Sequence, residues 1–173
     1  MLATTREDVW LVSKVRPDHA SRGGVVAHAK ASLERLGVEH LDVYLLHWPG
    51  PHPIEDTMAG MADAIDQGLI RHAGVSNFDV AELEAAMDAL GGHKIVCDQV
   101  LYHPGRREIE DEMIPFCKHH GIAVVGYSSF VSGGLFGTRE LDALDAIGRP
   151  HGKSGTQVVL DALSRDENVF LIP

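Results

Sequence analysis

Positive charge, cysteine and long apolar runs are all scarce in this sequence, and each scarcity removes a class of function. Fifteen lysines and arginines stand against twenty-five aspartates and glutamates, a formal charge of -10. Such a surface repels nucleic acid and anionic lipid, so neither is expected as a partner. The two cysteines, Cys97 and Cys117, are too few for a disulfide framework. Lying in or beside predicted regular elements of a chain with no export signal, they are expected as reduced, buried thiols. No apolar stretch approaches the roughly 20 residues that cross a bilayer. The amino terminus lacks the charged and apolar regions of a signal peptide, and a cytoplasmic protein is expected. No linker composition interrupts the chain. Its 173 residues suit one well-cored domain spanning 1–173, given typical domains of about 100–150 residues.

What is present is a regular alternation. Short apolar runs at Val9–Val12, Val43–Leu46, Ile70–Val75, Ile95–Val100, Ile122–Tyr127 and Val169–Ile172 read as six strands. Helical patterns fall between them at Gly24–Leu36, Ile54–Gln67, Val80–Leu90, Arg107–His119, Glu140–Ile147 and Gly155–Ser164. Strands alternating with helices of about a dozen residues predict right-handed βαβ crossovers and a parallel sheet. Pro53 suits a helix start, and Gly68, Gly91 and Gly121 suit helix exits.

The second strand stops on a histidine. Alternation puts Val43, Leu45 and His47 on one face and Asp42, Tyr44 and Leu46 on the other, so His47 is the first polar group on its face. Other strands end in the same manner: Lys14 follows the first, Ser76 and Asn77 the third, Gln99 the fourth, Tyr127 and Ser128 the fifth. Each has an ordinary structural account taken singly: a solvated strand end, a satisfied core histidine, a helix cap, a buried amide. Five at equivalent places on consecutive strands point instead to an active face at the carboxyl ends of a parallel barrel.

These segments resemble the aldo-keto reductase family. Val12-Ser13-Lys14-Val15 is similar to the strand that bears the catalytic lysine, and Tyr44-Leu45-Leu46-His47-Trp48-Pro49 to the strand that bears the catalytic histidine. Gly74-Val75-Ser76-Asn77-Phe78 resembles the family's G-V-S-N-F segment, whose serine and asparagine hold the nicotinamide carboxamide. Asp98-Gln99-Val100-Leu101-Tyr102-His103-Pro104 resembles the segment whose glutamine completes that amide site, and Tyr127 the tyrosine that stacks on the ring. The Leu101-Tyr102-His103 wording and Arg106 point within the family to small prokaryotic reductases of aldehydes such as methylglyoxal.

The resemblance implies an α/β fold, an incomplete (β/α)8 TIM barrel with about strands 3 to 8 present. It implies NADPH as cofactor and a small carbonyl compound as substrate. Lys14 and His47 are then catalytic, Ser76, Asn77, Gln99, Tyr127 and Ser128 hold the cofactor, and Trp48 walls the substrate pocket or covers the barrel rim. The physical demands of the reaction agree with these residue types. Hydride transfer to a carbonyl leaves developing alkoxide charge, which needs a proton donor and a positive or hydrogen-bonding environment.

There are departures. The family's aspartate and tyrosine precede the lysine strand, yet only thirteen residues precede Lys14, and Met1–Arg6 contains neither type. The chain stops at Leu171-Ile172-Pro173, short of a lysine-bearing cofactor loop and a final helix, and well below the roughly 250 residues of a complete barrel. Tyr44 should face a helix, while Tyr102 and Tyr127 have no lysine neighbour in sequence, so none is expected to replace the acid. Asp98 stands where the family has asparagine. Strands near Trp10 and Phe170 lack a neighbour in this arrangement, so self-association through exposed sheet edges is expected.

Two further readings stay open on the residues: a reductase-like subunit that binds nicotinamide without turnover, and a metal-dependent barrel hydrolase suggested by eleven histidines. The second lacks metal-ligand spacing, since prolines separate His47 from His52 and His119-His120 falls at a helix end, and no metal is expected.

Overall fold

The computed structural model describes residues 5–130 and 137–173. The chain divides into two compact units, one ending at Asp98 and the other beginning at Gln99. Its strands are ordered β1-β2-β3-β4-β5-β6 in one sheet, so every strand lies beside its neighbour in sequence.

The first unit holds β1 (Val12–Val15), α1 (Arg22–Leu36), β2 (Leu41–Leu46), α2 (Ile54–Asp66), β3 (Ile70–Ser76), α3 (Val80–Ala89) and the start of β4 (Ile95–Leu101). All six residues of β2 are buried. It runs parallel to β1, with Lys14 opposite Leu45, and parallel to β3, with Leu45 opposite Gly74. Met58, Met61, Leu83 and Ala86 of α2 and α3 are buried over the strands, and each large apolar side chain so placed contributes about 1.5–3 kcal/mol. Helices α1 and α2 approach closely because residue 60 is glycine. A Cβ there would lie 2.6 Å from the Arg22 carbonyl oxygen and 2.9 Å from the Val25 Cβ.

The second unit holds the rest of β4, α4 (Met113–His120), β5 (Ala123–Tyr127), α5 (Thr138–Gly148), α6 (Gly155–Leu163) and β6 (Val169–Ile172). β5 and β6 pair in parallel, with Val124 opposite Val169. The Asn168 side-chain amide donates to the Ile122 carbonyl at 2.7 Å and ties the start of one strand to the approach to the other.

Two elements begin three or more residues later than the sequence reading places them. The first strand lies at Val12–Val15, three residues later than the apolar run Val9–Val12 suggests. Arg6–Asp8 forms a 3-10 turn. Arg6 donates to the Val9 carbonyl at 3.0 Å, and the Leu11 amide is taken by the Asp42 carboxylate at 2.8 Å, so these backbone groups are engaged outside the strand. Lys14 is therefore inside the strand rather than after it. The helix expected at Arg107–His119 is a 3-10 turn, Glu108–Glu110, followed by α4 beginning only at Met113. Pro115 sets that start, since proline fits the first helical turn and not the interior. Elsewhere the punctuation holds: Gly68, Gly91 and Gly121 adopt φ of 70°, 72° and 69°, where a side chain would be strained. Both cysteines are free and buried.

Candidate functional site

In the first unit, β1, β2 and β3 carry four of the predicted residues at their carboxyl ends. Gly74 sets the floor. A Cβ at residue 74 would fall 2.4 Å from Leu45 Cδ2 and 2.9 Å from Cys97 Sγ, so the layer made by Leu45, Gly74 and Cys97 is filled. Lys14, registered with Leu45, shares this face by alternation, and its charge acts on the Cys97 thiol. His47 and Ser76 lie two residues further along their strands, one layer above.

His47 is fixed through its backbone. Its N–H donates to the Val15 carbonyl at 3.0 Å, extending the β1–β2 pairing. Its carbonyl accepts from the Asn77 side-chain amide at 3.1 Å, and the same amide reaches Ser76 Oγ at 3.1 Å. Asn77 sits at φ 61°, the left-handed region that asparagine enters more readily than other non-glycine residues. One asparagine thus joins the ends of β2 and β3. Burial, then the positive charges of Lys14 and Arg16, hold the His47 imidazole below the usual histidine range. At neutral pH it is an uncharged ring, able to donate one hydrogen bond to a carbonyl oxygen. The Trp48 ring lies 4.4 Å from the His47 ring, tilted by 53°, and is 46% exposed.

The loop that carries His47 and Trp48, and the first turn of α2 that follows it, are braced by the loop after β1. The Thr57 hydroxyl donates to the Ala20 carbonyl at 2.7 Å, and His52 Nε2 meets the Asp18 carbonyl at 3.3 Å. A Cβ on Gly50 would stand 2.4 Å from Pro17 Cβ and 3.0 Å from its carbonyl oxygen. Gly50→Val should therefore push the two loops apart, at about 1–3 kcal/mol. In a Trp10→Phe background, where Trp48 is the remaining tryptophan, its emission maximum should shift. An unchanged spectrum and melting temperature would show that the brace is dispensable.

In the second unit, Gln99 is buried and Tyr127 half-buried. Ser128 follows at φ 56°, and the Tyr102 amide donates to the Tyr127 carbonyl at 3.2 Å. A Cβ on Gly126 would lie 3.2 Å from Tyr102 Cδ1 and 3.0 Å from Leu171 Cδ2, so the end of β5 is closely packed.

Two tyrosines are accounted for away from any acid role. The Tyr44 ring is fully buried; burial pushes its phenol up to about 12, with Ser32 and Arg35 of α1 as neighbours, so it faces a helix as alternation predicts. The Tyr102 hydroxyl donates to Glu110, which Arg107 grips at 2.7 and 2.8 Å. Burial, then Glu110, push this phenol up to about 12 as well. Among the described residues, no three histidine, cysteine, aspartate or glutamate side chains converge as a metal site.

Several participants escaped the sequence reading. Arg16 adds charge to His47, Gly50 permits the loop contact, and Asp98 is wholly buried. Only Asp98 left a trace beforehand, as a departure from the family pattern.

A nicotinamide carboxamide needs both donors and acceptors, and the Ser76 hydroxyl with the Asn77 amide offers both at the end of one strand, so this donor set fits such a group. The profile of the Aldo/keto reductase family matches residues 2–173. Methylglyoxal reductase YeaE of Escherichia coli is 38% identical over 99% of this chain and 61% of its own length. Glyoxal reductase of Bacillus subtilis is 36% identical over 90% of this chain and 54% of its own. Among solved structures, a thermostable aldo-keto reductase in complex with the inhibitor epalrestat superposes with a TM-score of 0.90 at 38% identity, covering 98% of this chain and 62% of that one. An aldo/keto reductase from Klebsiella pneumoniae in complex with NADP and acetate gives 0.86 at 32% identity, covering 97% and 60%. The chain thus spans roughly three-fifths of the length of these relatives, and its six-stranded parallel sheet with alternating helices matches their barrels.

Proposed function

This chain belongs to the aldo/keto reductase family, and from that premise we propose that it forms one domain of a cytoplasmic NADPH-dependent reductase of small aldehydes and ketones, methylglyoxal among them. The observation that carries the proposal is the gathering of Lys14, His47, Ser76 and Asn77 at the carboxyl ends of adjacent strands, with the Asn77 amide joining the His47 carbonyl to Ser76 Oγ. His47 orients the substrate carbonyl by donating to its oxygen. Lys14 places positive charge where that oxygen gains negative charge. In the first unit Ser76 and Asn77 hold the carboxamide and Trp48 walls the substrate; in the second Gln99, Tyr127 and Ser128 are cofactor-binding, Tyr127 by stacking on the nicotinamide ring. When bound, NADPH supplies the hydride; these side chains supply position and polarity. A second reading is a nicotinamide-binding subunit without turnover, favoured by Tyr44 and Tyr102 being engaged away from any acid role.

Fluorescence titration with NADPH, followed by methylglyoxal in the same cuvette, separates the two. Binding with oxidation is the expected result for a working reductase. Binding without oxidation supports the second reading, and no binding removes both. If turnover is present, His47→Gln should lower kcat/KM at least about tenfold, and an unchanged value counts against the role given to His47. The exposed faces of β1 and β6 (Val12, Phe170 and Ile172) fit self-association, and a monomeric mass by light scattering counts against that part of the proposal.

A further inference from the structure

A third side chain joins the row that holds His47 and Ser76. β1 and β2 keep their register to the last pair, Val15 opposite Leu46, and the His47 N–H donates to the Val15 carbonyl at 3.0 Å. One step on, Arg16 stands opposite His47, just as His47 stands opposite Ser76 after the pair Leu46 and Val75. Arg16 is still extended, at φ -71° and ψ 146°, so alternation keeps it on the face of Lys14, two residues earlier. Arg16, His47 and Ser76 therefore line one layer on adjacent strands, with Lys14 in the layer below. The loop that follows Arg16 is tied down: Pro17 is buried and lies against Gly50, and the Asp18 carbonyl meets His52 Nε2 at 3.3 Å. Within that anchored loop Arg16 Nε donates to Asp18 Oδ1 at 3.1 Å and Nη2 to Oδ2 at 3.2 Å. This grip uses one edge of the planar guanidinium. Among the described residues nothing holds the edge that carries Nη1, and the side chain is 68% exposed. Exposed ion pairs of this kind contribute little to stability. What sets this one apart is its place beside the imidazole proposed to orient the substrate carbonyl.

We propose that Arg16 sets the substrate class of this site: its free edge binds a carboxylate, and the carbonyl compounds the site prefers are short oxo acids rather than neutral aldehydes and ketones. The inference rests on the reading of His47 as the group that orients the carbonyl. A guanidinium and a carboxylate match as planar partners through two parallel N–H donors, and Nη1 with the second hydrogen of Nη2 supplies such a pair. Neighbouring strands stand about 4.8 Å apart, the scale that separates the two ends of a short oxo acid. One molecule can thus place its carbonyl at His47 and its carboxylate at Arg16. Lys14 adds a second positive charge on the same face, in a chain where 15 basic side chains face 25 acidic ones. Asp18 holds the guanidinium in one orientation, so less freedom remains to be lost when an anion arrives. The Trp48 ring, tilted against His47, offers apolar surface to the carbon skeleton.

The test compares oxamate with oxamide, which share a skeleton and differ in that one carries a carboxylate where the other carries a neutral amide. Each is titrated into the NADPH-loaded chain in the Trp10→Phe background, where Trp48 emission reports binding, with Arg16 in place and as Arg16→Gln. With Arg16 in place, oxamate should bind about tenfold more tightly than oxamide, and raising the ionic strength should shrink that preference. Arg16→Gln should bring the two affinities within about twofold of each other. A merely structural role for Arg16 would weaken both ligands alike and leave the preference intact. Failure of the loaded chain to bind oxamate, the lack of any preference with Arg16 in place, or a preference that survives in Arg16→Gln would overturn the inference. His47→Gln should weaken both ligands equally; unchanged binding there removes the reading of His47, and the Arg16 variant still judges the carboxylate contact. Should the chain bind no NADPH, the cofactor reading fails, and the Arg16 Nε–H resonance in 15N NMR decides for the unloaded chain. A shift with oxamate but not with oxamide keeps Arg16 as a carboxylate site, and no shift removes it.

Discussion

Between pH 4 and pH 8, the stability of Asp98→Asn relative to the unmodified chain should swing by about 3 kcal/mol in the variant's favour. An unfolded aspartate ionises near 3.9, whereas burial pushes Asp98 up to about 7 in the fold. Below pH 4 both states carry the proton and the carboxyl is neutral in each. As pH rises from there, the unfolded chain releases its proton and the folded chain does not, so stability present at low pH is lost until the folded group ionises near 7. Asparagine has no proton to lose. About three pH units at roughly 1.4 kcal/mol each gives about 4 kcal/mol, and water drawn toward a buried charge reduces this. Urea melts of both proteins at the two pH values measure the swing directly. A difference that does not change with pH would mean that the carboxyl is solvated in the folded chain.

The second large effect has the opposite sign. Asp42→Ala should cost about 3 kcal/mol at pH 7. The Asp42 side chain is 5% exposed and meets Arg6 at 2.7 Å, Arg71 at 3.3 Å and His40 Nε2 at 3.8 Å, besides accepting the Leu11 N–H at 2.8 Å. Burial alone would raise its pKa, but the Leu11 amide, Arg6 and Arg71 together outweigh burial and hold it below the usual carboxylate value. The stabilisation is therefore fully present above the unfolded pKa near 3.9 and disappears as pH falls through the depressed folded value. Removing the carboxylate strands the Arg6 guanidinium and frees the turn that leads into β1. Melts at pH 7 and pH 2.5 test this. The deficit should be large at the first and small at the second, and a deficit equal at both would assign the loss to packing rather than to charge.

Much of this was legible in the sequence, for identifiable reasons. His47, Ser76 and Asn77 fall where strand alternation and parallel topology put them, because both are periodic properties that a one-dimensional pattern records, whereas Lys14, expected just after its strand, lies inside it. Tyr44 turns toward α1 for the same reason. The first strand was misplaced because Val9 and Trp10 look like strand residues, while the bonds that exclude them come from Arg6 and from Asp42, far along the chain. The late start of α4 was written in Pro115, a positional signal that the apolar spacing around it obscured. The Gly50–Pro17 contact, the Tyr102–Glu110 bond and the surroundings of Asp98 depend on which loops and helices meet in space, and no local pattern encodes that.

The sequential strand order also bears on how the chain acquires its structure. Each observed parallel pairing closes a modest stretch of chain, from Val12 to Val43, from Leu41 to Ile70, and from Val124 to Val169. The entropy of closing such a loop grows only with the logarithm of its length. Among the described pairings none joins strands distant in sequence, and local pairing of this kind lowers contact order and favours quick formation. A nascent chain leaving the ribosome can therefore add one strand and one helix at a time, each new pair docking on the one before it, as the modules of a repeat protein do.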